Sequence, residues 1–135
     1  MATIYSEKFT FSIDVISIDF EQEKKGNPYN TICDVKIISD GFSGKTQITT
    51  NIRDLKSFHK NLEKMYEVLE GKAILNDFDY GTKISVECDY NGYFVFEGIL
   101  IDESFQQLQF KNSIDQTYLY DFIKELSRNI NNWDN

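Results

Sequence analysis

Apolar and polar residues alternate from Phe9 onward. Phe9, Phe11, Ile13 and Val15 fall on one phase, and Ile16, Ile18 and Phe20 on the other. A strand changes phase in this way when one extra residue is inserted, so the pattern predicts a strand with a bulge near Val15-Ile16. Residues 21–30 hold the chain's only Pro and a run of charges, which predicts an exposed loop. Alternation resumes with Cys33, Val35 and Ile37 around Asp34 and Lys36. Gly41-Phe42-Ser43-Gly44 is expected to turn that strand into a second one over 45–50. From Ile52 the period lengthens to that of a helix, with Leu55, Phe58, Leu62, Met65, Tyr66 and Leu69 on one stripe. Asn51 and Asp54 are spaced to cap its first turn, and Gly71 stands where a left-handed C-terminal cap belongs.

The second half returns to strands at 72–76, 82–89, 93–101 and 106–111. The turn between the second and third of these is decided by charge. A two-residue Asn91-Gly92 turn would pair Val86 with Glu97 and bury the carboxylate among Ile84, Val86 and Cys88. A three-residue loop, Tyr90-Asn91-Gly92, instead sets Cys88 opposite Phe94 and Val86 opposite Phe96. Burying an unpaired Glu97 would cost several kcal/mol, roughly, so the longer loop is expected. A last amphipathic helix over 115–129 places Tyr118, Leu119, Phe122, Ile123 and Leu126 on one side, with Asp115 as its cap. The order βββαββββα, free of sequence repeats and long linkers, describes a single α+β domain over residues 1–135. The expected architecture is a twisted, mainly antiparallel sheet of about six to seven strands with two helices packed on one face.

Composition narrows the partners. The 135 residues carry a net charge of −8, which argues against a nucleic-acid backbone and against an anionic membrane surface. A basic partner is the better electrostatic match. The N-terminus lacks a basic start followed by an apolar block and no apolar run approaches membrane-spanning length, so a cytoplasmic protein is expected. Cys33 and Cys88, set apart in apolar strands, are expected to be reduced core residues.

Catalytic and metal constellations are sparse. His59 is the only histidine, is expected to face solvent, and has no Ser or Cys nucleophile at a telling spacing. With two scattered cysteines it makes no zinc set. Gly44-Lys45-Thr46 ends like a phosphate loop, but Ser39 stands where the earlier glycine is needed and a strand follows. No enzymatic activity, metal or cofactor is therefore expected. The informative feature is charge: Asp77, Asp79, Glu87, Asp89, Glu97, Asp102 and Glu103 face a single Lys83 between positions 77 and 103. A solvated face explains such a run as well as a docking surface does. Tyr90, Tyr93, Val95 and Ile99 interleave with it, and mixed acids and aromatics favour a partner-binding surface.

Several segments together resemble the WapI-like immunity proteins of bacterial polymorphic toxin systems. They are Gly41-Phe42-Ser43-Gly44, then Leu62 through Leu69 with Gly71, Ala73 and Leu75, then Val86-Glu87-Cys88-Asp89-Tyr90-Asn91-Gly92-Tyr93, and Asp115-Gln116-Thr117-Tyr118-Leu119. The resemblance implies a small bacterial protein that binds and blocks the toxic C-terminal domain of a larger protein, often a nuclease. The alternative is a structural or ligand-binding module that assembles through an open sheet edge. Neither reading fixes the oligomeric state.

Overall fold

In the computed structural model, which describes residues 1–133, the first inward phase becomes strand β2 (Phe9–Ile18), hydrogen-bonded on both sides. It lies between β1 (Ala2–Tyr5) and β3 (Thr31–Ser39), and β3 pairs with β4 (Phe42–Thr50), giving an antiparallel sheet in the order β1-β2-β3-β4. The expected bulge is present. The register slips between Val15 and Ser17, leaving Ile16 on the surface. Beyond the end of β1, the Val15 amide donates to Oδ1 of the buried Asn129 at 2.9 Å. Residues 21–30 are not all loop. Asp19 caps a short helix, α1 (Phe20–Lys24), by accepting from the Gln22 amide. The β3–β4 connection is the two-residue Asp40-Gly41, with Ser39 opposite Phe42, so Phe42 to Gly44 belong to the strand.

Helix α2 (Ile52–Val68) buries Leu55, Phe58, Leu62 and Met65 of the expected stripe together with Ile52, while Tyr66 is half-buried and Leu69 is exposed beyond the helix end; the Asp54 amide donates to Asn51 Oδ1 at 2.7 Å. Its C-terminal cap is Leu69, at φ 54° and ψ 39°, two residues ahead of the expected Gly71. Next come β5 (Lys72–Asn76), β6 (Lys83–Cys88), β7 (Phe94–Ile101) and β8 (Gln107–Ile114), a second antiparallel sheet in that order. Cys88 faces Phe94 and Val86 faces Phe96, the register that keeping Glu97 out of the core demands. A 3-10 turn, Gln116–Tyr118, capped by Asp115, leads into α3 (Leu119–Asn131).

Among the described residues the single sheet expected from the strand count is thus two four-stranded sheets, and the helices are three, counting α1. The cause is visible at β4. The outer edge of that strand at Thr49 bonds to the β5–β6 turn rather than to a strand, through Asp77 Oδ1 (2.8 Å) and the Phe78 amide (2.9 Å). Strands after α2 therefore build a sheet of their own. The inner faces meet through Phe9 and Phe11 of one sheet and Phe96 and Phe110 of the other, with ring centroids 5.2 to 6.1 Å apart. Phe122 of α3 closes edge-on against Phe11. The topology repeats although the sequence does not. Each meander is followed by a helix that packs on the first strand of the other sheet, α2 on β5 and α3 on β1. His59 is not turned to solvent. Its Nε2 donates to the Ile123 carbonyl at 3.0 Å, joining α2 to α3.

Candidate partner-docking surface

A strand of six to eight residues is roughly 20 Å long, so acids close in sequence land far apart when hairpins fold. Asp77 and Asp79 occupy the β5–β6 turn, and Asp102 and Glu103 the β7–β8 turn, at the same end of the second sheet. Asp89, Tyr90 and Tyr93 form the β6–β7 turn at the other end. Glu87, Val95, Glu97 and Ile99 lie between, on the outer face. That face also carries Lys72, Lys83 and Lys111, with Lys111 Nζ 3.4 Å from Glu97 Oε2. Both partners are mostly exposed, so the pair contributes at most about 1 kcal/mol.

Three of these aspartates shape loops. Asp77, 6% exposed, accepts from the amides of Thr49 (2.8 Å), Asp79 (3.2 Å) and Tyr80 (2.8 Å). Asp89 accepts from the amides of Asn91 and Tyr93, and Asp102 from those of Ser104 and Gln106. Aspartate suits such turns because its short carboxylate reaches amides two to four residues on. The carboxylates of Asp79, Glu87 and Glu103 remain on exposed residues.

A broad open groove lies elsewhere, on the outer face of the first sheet, with a volume of about 830 Å³. Its floor is built by register: Lys36 lies opposite Ser12 and Lys45, and Asp34 opposite Asp14 and Gln47. Its wall is the pair of turns from the second sheet, contributing Asp79, Tyr80, Asp102 and Glu103. The groove thus brings three of the expected site residues together with Asp14, Asp34, Tyr5 and Tyr80, which sequence reasoning missed. The β3 alternation placed Asp34 and Lys36 outward, but nothing local in the sequence says that turns some 45 to 70 positions later close over them.

Beneath this floor Cys33 is buried, and burial, followed by the charges of Asp14 and Asp34, pushes its thiol up from 9.0 to about 12. The Cys88 thiol is pushed up by burial and then by Asp89. Both are held protonated, which suppresses nucleophilic and metal-binding chemistry at either sulfur. Among the described residues no three His, Cys, Asp or Glu side chains converge to hold a metal ion. No helix among them is long and apolar enough to cross a membrane.

Two meanders, each followed by a helix lying on the other's first strand, define a class of two-sheet α+β protein that has solved examples. The crystal structure of WHY3 from Arabidopsis thaliana matches with a TM-score of 0.56 at 7% identity, covering 97% of this chain and 86% of that one. WHY1 from the same plant matches with a TM-score of 0.54 at 8% identity, over 97% and 82%. At such identity the likeness is one of fold alone. The family comes from the sequence: residues 3–134 match the profile of the immunity protein WapI-like family, and the chain belongs to that family. Membership supports an immunity-protein role. No curated protein matches the chain.

Proposed function

We propose that this chain is a cytoplasmic bacterial immunity protein that binds the toxic C-terminal domain of a polymorphic toxin and neutralises it by occupancy, without catalysis. The observation that carries this reading is the family match over nearly the whole chain. The net charge of −8 supports a basic partner, and a nuclease, whose substrate-binding surface is positive, is the partner class it fits best. Carboxylates presented to that surface compete with the phosphates of nucleic acid. Steering accelerates the encounter, while apolar anchors slow release.

The test is to read the gene's neighbourhood for a toxin reading frame immediately upstream and to co-express this chain with the C-terminal domain which that frame encodes. Cells carrying the toxin domain alone are expected to stop growing, and cells carrying both to grow normally. Arrest that persists while this chain accumulates as folded protein would overturn the proposal.

A further inference from the structure

Resting on that reading, we propose that the toxin domain docks in the groove on the outer face of the first sheet. A basic, extended segment of the toxin lies along the floor and packs an apolar side chain against Tyr80 and Phe105 at the rim. Three features of the groove point to this occupant.

The first is shape and charge together. The groove measures about 830 Å³, against about 540 Å³ for the groove on the outer face of the second sheet. Asp14, Asp34, Asp79, Asp102 and Glu103 line it, against Lys36, Lys45 and the amino group of Met1, which sits 3.3 Å from Asp14. The outer face of the second sheet sets Lys72, Lys83 and Lys111 among Glu87 and Glu97 and has no acidic excess. A basic partner is therefore drawn to the first sheet.

The second is the pairing on the floor. Asp14 stands directly opposite Asp34, and Lys36 directly opposite Lys45. Like charges facing across strands destabilise a sheet. In the free protein the amino group of Met1, 3.3 Å from Asp14 Oδ1, and the side-chain amide of Gln47, which donates to Asp34 Oδ1 at 3.3 Å, offset the pairing of Asp14 with Asp34. A cation bound between Asp14 and Asp34 gives Asp34 a charged partner in place of the neutral amide of Gln47. A guanidinium, whose forked donors match two carboxylates at once, suits that position best.

The third is the rim. Phe105 sits at φ 62° in the β7–β8 turn, a conformation suited to glycine, and is 67% exposed. Its N–H donates to the Asp102 carbonyl, and its ring meets Tyr80 edge-on at 5.7 Å. A phenylalanine in left-handed backbone costs the fold about 1 kcal/mol relative to glycine and gains little burial in return. Aromatic side chains, Tyr and Trp above all, are enriched among binding hot spots, and Tyr80 with Phe105 offers such an anchor. At the opposite end, Tyr90 is 97% exposed, with the single carboxylate of Asp89 beside it in the turn, whereas Asp79, Asp102 and Glu103 accompany Tyr80 in the groove.

The experiment uses the full chain and, as probe, the toxin domain encoded immediately upstream. Phe105→Gly is expected to leave the melting temperature unchanged or higher, because glycine accepts the backbone conformation, while weakening binding at least about tenfold. A triple variant, Asp34→Lys with Asp79→Lys and Glu103→Lys, is expected to weaken binding about a hundredfold and to flatten its salt dependence. The companion variant Glu87→Lys with Glu97→Lys, on the other sheet, is expected to stay within about threefold of wild type. Wild-type binding that survives both groove changes would overturn the groove and leave the immunity reading standing. A wild-type chain that fails to bind the toxin domain would overturn both.

Discussion

Asp77→Ala is expected to cost the fold about 4 kcal/mol, the largest loss expected from any single carboxylate among the described residues. Its side chain, 6% exposed, holds the amides of Thr49, Asp79 and Tyr80. Hydrogen bonds to a charged group contribute about 1.5 to 3 kcal/mol each, and amides left unpaired when the acceptor goes add their own desolvation cost. The loss is amplified by position. The bond to Thr49 fastens the exposed edge of β4 to the β5–β6 turn, so removing it loosens one sheet from the other. Asp77→Asn should fall between, since one oxygen survives while an amino group is set facing an amide donor. Urea unfolding monitored by far-ultraviolet circular dichroism measures both. A change below about 0.5 kcal/mol for Asp77→Ala would mean that the turn does not depend on this carboxylate.

Gly98→Ala is expected to cost a similar amount, about 4 kcal/mol or more, for a steric reason. A Cβ at this position would lie 2.0 Å from the carbonyl oxygen of Lys83 and 3.2 Å from the Cα of Ile84. Both are backbone atoms of the adjacent strand and cannot rotate away. Gly98 is also where β7 is paired on both sides, with Ile84 and with Phe110, so relief requires displacing β6 from β7. Glycine within a strand commonly marks such a close backbone approach. Gly41→Ala provides the comparison, because nothing lies within 4 Å of its added methyl and its backbone is not left-handed. Thermal unfolding should show a loss confined to Gly98→Ala; a melting temperature within a degree of wild type would contradict the close approach.

Much of the local structure was legible because it depends on neighbours in sequence. The phase change at Val15-Ile16, the Asn51 cap, the helical stripe of α2 and the β6–β7 register each follow from a few adjacent residues, and each is present. Other local signals went unused. Asp19 followed by Gln22 has the spacing of a helix cap, and Asp40-Gly41 is a favoured hairpin turn. β1 is four residues long, too short for alternation to announce it, and its Thr3 amide is satisfied by Glu125 of α3, 122 positions away. The division into two sheets was not legible for the same reason. A meander pattern does not say whether the strand after a helix returns to the old edge or begins a new sheet.

The acidic run from Asp77 to Glu103 was legible as charge but not as a surface. Hairpin geometry sends its two ends and its middle to different places, and three of its aspartates turn out to build loops, two of which carry Asp79 and Glu103. The groove is assembled from residues as distant as Asp14 and Glu103. It exists because the turns of one sheet close over the outer face of the other, which only the tertiary structure reveals.

The most direct measurement of the central claim is the association rate of the purified chain with the toxin domain encoded beside it, followed as salt is raised from about 0.05 to 0.5 M. An acidic inhibitor that docks on a basic toxin surface predicts a rate near or above about 10⁷ M⁻¹s⁻¹ at low salt that falls at least tenfold across this range, with a much smaller change in dissociation. Association whose rate does not depend on salt, or rises with it, would contradict the account.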